Sequence, residues 1–359
     1  MINYGRQSID KSDIAAVVEV LEGDWLTQGP MVEKFEEAVA EYVGARFAVA
    51  YSNGTAALHG AVASAGLGPG DTVLTSPLTF IASANAARFV GAKPALADID
   101  PTTLNIDIKH LTAHHDAVIP VHFAGLPVNL RALDRSGRVV IEDAAHALGA
   151  ITPDGPVGNC AHSDMTCFSF HPVKPITTGE GGMVTTNDER LAERLRAFRS
   201  HGIVRKPELG GWYYEVGSLG YNYRLTDIQC ALGLAQMAHL GQFIERRNEI
   251  ALRYREYLAD APIQLPPAAP NGFLHGYHLF VIQVNERRRV FDALRNAGIG
   301  VQVHYVPVHH HPISCDIDLG IGELPHCDRY YERAISLPIY PGLTDDEQKT
   351  VVDTLLAVL

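Results

Sequence analysis

The chain has 359 residues, of which 47% are apolar and 19% charged, so it holds apolar material for about two cores and is neither disordered nor fibrous. Its 29 basic and 41 acidic residues give a net charge of −12, and no stripe of lysines and arginines with interleaved aromatic residues marks it as a nucleic-acid binder. The longest uncharged stretch, 261–285, contains four prolines, which argue against a membrane-spanning helix there. Five scattered cysteines without a C-x-x-C pair predict a reducing, cytoplasmic location.

The first half of the chain alternates helix-like and strand-like stretches. Residues 30–44 begin with proline, place apolar residues on one face and end with glycine, which predicts a helix. Short apolar runs rich in β-branched residues follow, separated by segments of helix length. They predict a mostly parallel sheet with helices on both sides. The predicted strands are 46–52, 71–77, 93–99, 116–123, 138–144, 165–169 and 182–186.

The second half begins with one long helical pattern and continues as a smaller α+β unit. The helical spacing runs from Thr226 to about Leu258, and the prolines of 262–270 end it. The elements predicted after that are an alternating segment at 277–284, a helix at about 286–298 and a final helix after the turn at 341–348. We therefore predict an α/β protein with a large domain at 1–240 and a small C-terminal α+β domain at 241–359.

Open parallel sheets bind ligands at the carboxyl ends of their strands, and the segment SNGTAALHG (52–60) follows such an end. A strand, a turn and a helix of small residues leave the backbone N–H groups of Gly54, Thr55 and Ala56 at a helix N-terminus, where they suit a phosphate. The alternative is an ordinary helix start with Asn53 or Thr55 as its N-cap.

A carboxylate, Asp143, ends the apolar strand VVIED. At the rim of the sheet it can accept a hydrogen bond from a cationic ring nitrogen, bind a metal, or simply cap the following helix. His146 is predicted to lie one helical turn further on, where it can orient the carboxylate or a ligand oxygen.

An unusual lysine, Lys174, lies in FSFHPVKPITTGEGG (168–182) between apolar residues and prolines. A partly desolvated lysine has a lowered pKa and forms Schiff bases with aldehydes. The glycines that follow allow the backbone to approach a ligand, and Ser169 offers a hydroxyl to a phosphate. The alternative is a surface turn.

A dense group of histidines occupies VHYVPVHHHP (303–312). Such density suggests a metal site, but no cysteine or carboxylate lies at a familiar ligand spacing. We predict a polar loop at the mouth of a substrate site and no metal.

Together, a phosphate cup, a strand-end carboxylate and an activated lysine are the parts that a pyridoxal phosphate enzyme needs. The lysine would bond the cofactor, and the aspartate would keep the pyridine nitrogen protonated.

Several motifs, in this order, carry a family resemblance: GDWLTQGP (23–30), SNGTAAL (52–58), PLTFIAS (77–83), EDAAH (142–146), SFHPVKPITTGEGG (169–182), GYNYR (220–224) and VHYVPVH (303–309). Over essentially its whole length the sequence resembles the DegT/DnrJ/EryC1/StrS sugar aminotransferases, which are fold-type I pyridoxal 5'-phosphate enzymes. The resemblance implies a large domain with a mostly parallel sheet between helices, plus the smaller C-terminal domain.

The resemblance also implies roles for individual residues. It makes Lys174 the catalytic residue that holds the cofactor and Asp143 the partner of the pyridine nitrogen. The other implied cofactor contacts are Gly54, Thr55, Ala56, Phe80, His146 and Ser169, with Asn222 reaching the phosphate site of a neighbouring subunit in a homodimer with shared active sites. The implied substrate-binding residues are Tyr4, Leu26, Thr27, Gln28, His304, Tyr305 and His309.

The resemblance implies transamination as the activity, because dehydratase members of the family carry histidine in place of Lys174. The segment HPVKPITTGEGG is most similar to the pseudaminic acid branch, which aminates C4 of UDP-2-acetamido-2,6-dideoxy-β-L-arabino-hex-4-ulose with glutamate as donor. Three alternatives remain: an aminotransferase for another UDP- or dTDP-ketosugar, a cofactor-binding regulatory protein without turnover, and a zinc enzyme built on the histidine loop.

Overall fold

A computed structural model describes residues 1–108, 115–135, 137–315, 317 and 323–359. Its helices are α1 (Lys11–Glu22), α2 (Pro30–Val43), α3 (Gly54–Ser64), α4 (Ala82–Phe89), α5 (Glu189–Arg199), α6 (Asp227–Met237), α7 (Leu240–Tyr257), α8 (Arg287–Asn296), α9 (Pro325–Arg333) and α10 (Asp345–Val358).

The strands begin with β1 (Phe47–Tyr51), β2 (Thr72–Thr75), β3 (Lys93–Leu96), β4 (Ala117–Ile119), β5 (Val139–Asp143), β6 (Ile151–Thr152) and β7 (Gly155–Pro156). They continue with β8 (Met165–Ser169), β9 (Gly182–Thr186), β10 (Ile203–Arg205), β11 (Tyr214–Val216), β12 (Phe280–Gln283) and β13 (Ala334–Leu337). Every strand predicted for the large domain is present.

The main sheet has the order β1-β9-β8-β5-β4-β2-β3 within the described residues. Its strands are parallel except β9, which is antiparallel to β1 and to β8. Helix α3 packs on one face, with Ala57 and Val62 fully buried beside Val49, and α2 packs on the other through Phe35 and Val39. This architecture confirms the predicted α/β class with a mostly parallel sheet.

Because β1, β2, β5 and β8 run in the same direction, their carboxyl ends lie along one rim. The segments that leave this rim carry most of the residues predicted for a cofactor. Pairing of Asp143 with Cys167 in the ladder fixes the end of β5 beside the end of β8.

A second core contains apolar residues of α7, β12, α8, β13 and α10. Strands β12 and β13 form an antiparallel pair, and the N-terminal residue Ile2 packs against this core and pairs with Ile299. The domain boundary at residue 240 stays a prediction.

The helix predicted from Thr226 to Leu258 is two helices, because α6 ends at Met237 and α7 begins at Leu240. Helix α6 packs on α1 and α2, whereas α7 carries Ile250 and Tyr254 into the second core. The prediction of one continuous helix was wrong because apolar residues on both sides of the break, Cys230 and Leu240, pack in the same core, so the spacing of apolar residues does not mark the break.

The elements that were not predicted include α1, α9 and β13, together with the short strand pairs β6–β7 and β10–β11. Helix α1 begins with a capping box, in which the Asp10 carboxylate accepts from the backbone of Asp13 and the Asp13 side chain accepts from the backbone of Asp10. Within the described residues, no helix combines the length and the apolar character needed to cross a membrane.

Candidate active site

A cavity of about 630 Å³ opens at the carboxyl rim of the main sheet. It brings together these predicted site residues: Tyr4, Gly54, Thr55, Ala56, Phe80, Asp143, His146, Ser169, Lys174, His304 and Tyr305. They come from six separate stretches of the chain, so the fold gathers into one site what the sequence distributes over some three hundred residues.

The carboxylate of Asp143 lies at the end of β5 and is 6% exposed. Its Oδ2 accepts a hydrogen bond from the Ser83 hydroxyl at 2.6 Å, and its Oδ1 accepts one from the Ala145 N–H at 3.1 Å. Turns follow β5 at 145–149 instead of the helix expected from the sequence, so Asp143 caps no helix and His146 lies on a turn.

The Ser83 hydroxyl has one proton, and its short contact to Asp143 uses that proton. The Thr79 hydroxyl, which lies 2.8 Å from the Ser83 oxygen, therefore acts as the donor in that second contact. A chain of two hydroxyl groups thus runs from Thr79 through Ser83 to Asp143 and fixes one face of the carboxylate.

The Lys174 side chain lines the cavity a few residues after β8. Its backbone N–H donates to the His171 carbonyl at 2.8 Å in a tight turn. Burial lowers the pKa of Lys174 to about 8, although the nearby Asp143 carboxylate opposes the shift. Lys174 does lie in a turn, as the alternative interpretation expected. The turn, however, places the amine in the cavity and not in open solvent.

The start of α3, where a phosphate site is predicted, is capped by a side chain that occupies one of the three predicted amides. Asn53 is the N-cap, and its side chain accepts from the Ala56 N–H at 2.8 Å. The Ala56 amide is therefore already used, whereas the N–H groups of Gly54 and Thr55 precede the first intrahelical bond of α3. A Cβ on Gly54 would lie 2.9 Å from the Cβ of Ser169, so the helix start closes directly on that serine.

Aromatic and imidazole rings form another part of the cavity lining. The His146 Nδ1 accepts from the Ala124 N–H at 3.3 Å, which places the proton on Nε2, 2.9 Å from the Tyr305 hydroxyl. Desolvation, reinforced by the Lys174 charge, lowers the pKa of His146 well below its ordinary value. Desolvation likewise lowers the pKa of His304 to about 3, so both rings are neutral near pH 7.

Phe80 is 56% exposed and its ring centroid lies 6.0 Å from that of Tyr305. An aromatic side chain with an open face above a cavity provides a surface on which a planar ring can stack.

Five predicted site residues lie outside the lining of this cavity. Thr27 pairs with Thr226, Gln28 borders a separate groove of about 560 Å³, and Leu26 is 49% exposed. Asn222 pairs with Ser200. The roles of these residues, including the contact of Asn222 with a neighbouring subunit, stay predictions.

His309, the fifth, lies in the histidine loop, where it meets a carboxylate that the sequence spacing did not reveal. The Nε2 atoms of His309 and His310 each lie 2.9 Å from Oδ1 of Asp328, on α9. The loop is therefore held to α9 by contacts of imidazole with carboxylate, and the prediction that it binds no metal stays a prediction.

Three further residues contribute to the site without having been predicted from the sequence: Thr79, Ser83 and His278. The first two belong to the motif PLTFIAS (77–83), which carries the family resemblance. His278 carries no local signal. Its Nε2 lies 3.5 Å from the Lys174 Nζ, across 104 positions of sequence.

A lysine and a buried strand-end carboxylate at the rim of a mostly parallel sheet define an aminotransferase of fold type I, with a second α+β core beside the site. Residues 7–356 match the model of the DegT/DnrJ/EryC1/StrS aminotransferase family, and the chain belongs to that family. Both statements confirm the predicted fold and the predicted class of enzyme.

Similar proteins cover nearly the whole chain. The Bacillus subtilis spore coat polysaccharide biosynthesis protein SpsC is 40% identical over 98% of this chain and 95% of its own length. The UDP-4-amino-4,6-dideoxy-N-acetyl-β-L-altrosamine transaminase of Campylobacter jejuni (serotype O:2) is 38% identical over 100% of this chain and 98% of its own. The solved structure of Helicobacter pylori PseC, an aminotransferase of pseudaminic acid biosynthesis, is 31% identical with a TM-score of 0.92 over 99% of this chain and 98% of its own.

Aminotransferases of this family use pyridoxal 5'-phosphate. The residues present fit that group: Lys174 provides an amine with a lowered pKa, Asp143 a buried carboxylate, and the start of α3 beside Ser169 a site for an anion. The exposed face of Phe80 completes a set of contacts suited to a flat, phosphorylated ring.

Proposed function

We propose that this protein transfers an amino group from glutamate to C4 of a 4-keto-6-deoxy nucleotide-sugar, and that its acceptor is UDP-2-acetamido-2,6-dideoxy-β-L-arabino-hex-4-ulose. The observation that carries the proposal is the shared cavity of Lys174 and Asp143 in a chain of this family. The altrosamine transaminase and the pseudaminic acid enzyme named above support the choice of sugar.

When bound, pyridoxal phosphate supplies an electron sink for the carbon that loses or gains a proton. Lys174 is the group that holds the cofactor and then moves the proton. With a pKa of about 8, about a tenth of its amine is neutral at pH 7, so the side chain can both accept and return a proton under working conditions.

With the cofactor bound, Asp143 would accept a hydrogen bond from the pyridine nitrogen and favour its protonated form. Its carboxylate is fixed by Ser83 and the Ala145 N–H, so the negative charge stays at one position in a desolvated site. The amides of Gly54 and Thr55, together with the Ser169 hydroxyl, would hold the phosphate, and Phe80 would cover one face of the ring. Tyr4, His304 and Tyr305 also line the cavity, where they would contact the substrate.

We also propose a homodimer whose subunits share active sites, with Asn222 serving the partner's phosphate site. The exposed residues 209–219 support this assembly, because they include Leu209, Trp212, Val216 and Leu219, each more than half exposed. A cytoplasmic location is supported by five cysteines that are all free thiols.

A panel of UDP- and dTDP-4-ketosugars, tested with glutamate and scored by product mass and NMR, distinguishes the acceptors. We expect the UDP-arabino-hexulose to give a 4-amino product with the highest kcat/KM. A preference for another ketosugar would keep the class and correct the sugar, whereas rapid turnover of pyruvate or oxaloacetate without any ketosugar would contradict the proposal.

A further inference from the structure

A buried histidine, His278, faces the amine of Lys174 from the segment that leads into β12. It is 4% exposed, and its Nε2 lies 3.5 Å from the Lys174 Nζ. The ring is also 4.4 Å, centroid to centroid, from that of His146, and it lines the same cavity. The histidine therefore contacts the lysine from a segment whose neighbouring residues, Tyr277 and Phe280, belong to the second core.

The chemistry of the contact sets the tautomer of the ring. A lysine ammonium has donors only, so the His278 nitrogen that meets it must be unprotonated and must accept. The proton then resides on Nδ1, which is buried and has no hydrogen-bond partner among the described residues. A purely structural histidine would be expected to satisfy its buried N–H, whereas this ring makes its polar contact with the lysine alone.

We propose that His278 is a positioning residue for Lys174: its Nε2 accepts a hydrogen bond from the amine and holds the amine in one orientation in the cavity. The proposal rests on the proposed function, because it concerns the lysine on which that function depends. It adds a residue that determines where the amine points during proton transfer.

The electrostatics favour a neutral ring that accepts a hydrogen bond over a ring that carries a proton. Desolvation and the charge of Lys174 lower the pKa of His278 well below its ordinary value, so the ring takes no proton near pH 7. The groups that interact electrostatically with the amine from the other elements are the Asp143 carboxylate on β5, His146 on the turn after it, and His304 beyond α8.

The two replacements that separate an acceptor from a space-filling ring are leucine and glutamine. His278→Leu keeps the bulk and removes the acceptor, so the ammonium loses a stabilising contact, its pKa falls, and the side chain gains freedom. His278→Gln restores an acceptor in the amide oxygen. His275→Leu is a matched control, because His275 is a buried histidine of the same segment that lies outside the cavity lining.

The experiment measures how fast the apoenzyme captures pyridoxal phosphate on Lys174 between pH 6 and 10, using borohydride trapping and peptide mass mapping, with no substrate present. We expect a wild-type midpoint near the lysine pKa of about 8. His278→Leu should have a midpoint at lower pH and a limiting rate reduced roughly fivefold, as expected for the loss of one hydrogen bond. Glutamine should restore both, and His275→Leu should match the wild type.

Thermal unfolding of each variant checks that the fold is kept. A wild-type pH midpoint and capture rate in His278→Leu would overturn the positioning role. So would a His278→Gln variant with the same midpoint and rate as His278→Leu. Capture at a lysine other than Lys174 would contradict the proposed function instead, so the two failures are distinguishable.

Discussion

The Ser83 hydroxyl, on α4 between β2 and β3, lies 2.6 Å from Oδ2 of Asp143 and donates a hydrogen bond to that buried carboxylate. Thr79 in turn donates to Ser83. The orientation of the carboxylate therefore depends on α4 as well as on β5.

Removal of the Ser83 hydroxyl should lower activity while the negative charge of Asp143 stays in place. Ser83→Ala should reduce kcat roughly fivefold to tenfold, since a hydrogen bond to a charged group contributes about 1.5 kcal/mol or slightly less here. Ser64→Ala is the control, because Ser64 is also a buried serine at the large-domain core but its hydroxyl has no partner among the described residues. Equal kcat values in the two variants would contradict the role of Ser83.

Removal of the charge itself should have a much larger effect. Two unit charges about 4 Å apart interact by roughly 4 kcal/mol at an effective dielectric near 20, and partial loss of that energy corresponds to about two to three orders of magnitude in rate. Asp143→Asn should therefore retain bound cofactor through Lys174 and the phosphate cup while its single-turnover reaction with glutamate nearly stops. Near-normal single-turnover rates would show that the carboxylate does not act on the cofactor.

A second buried carboxylate on β5, Glu142, should stabilise the fold in a pH-dependent way. Burial alone would raise its pKa, but hydrogen bonds from His122, Ser163 and Thr166 outweigh burial and lower it. Because the folded pKa lies below the unfolded value, the stabilisation is complete above about pH 4.5 and is lost as the pH falls through the lower folded value.

Urea unfolding of Glu142→Gln measures this contribution. We expect the variant to be less stable than the wild type by about 1–3 kcal/mol at pH 7, with a smaller difference below pH 4. The exposed Glu37→Gln serves as the control for charge removal. A difference that grows as the pH falls would contradict the direction of the pKa shift.

Assembly can be tested by mixing inactive subunits. If Asn222 serves the partner's phosphate site, Lys174→Ala and Asn222→Ala chains that exchange should form some sites with both residues intact, and activity should return. Subunit exchange is followed independently with fluorescent labels. Mixtures that exchange and stay as inactive as either parent would contradict a shared site.

The sequence predicts the parts of the site whose signals are local. A carboxylate at the end of an apolar strand and a lysine between prolines are both visible as short patterns, and the parallel neighbours β5 and β8 explain why they meet. His278 was missed because its contact with Lys174 joins distant segments, and no local spacing encodes that approach. The contact of Asp328, on α9, with His309 was missed for the same reason, because the two residues lie on separate elements.

A change of core along α7 is hidden for a related reason. Apolar periodicity shows that residues face a core, but it does not show which core they face. Leu240, at the start of α7, packs with Cys230 of α6 in the first core, whereas Ile250 and Tyr254 pack in the second, and only the tertiary structure shows this difference.

The central claim is that Lys174 carries out transfer of an amino group to a nucleotide-sugar. Its most direct test is incubation of the protein with pyridoxal phosphate, [¹⁵N]glutamate and UDP-2-acetamido-2,6-dideoxy-β-L-arabino-hex-4-ulose, followed by NMR of the sugar product. We expect ¹⁵N bonded to C4, one 2-oxoglutarate for each amino-sugar formed, and no product with Lys174→Ala. Absence of ¹⁵N from the sugar with the wild-type protein, or equal incorporation with Lys174→Ala, would contradict the claim.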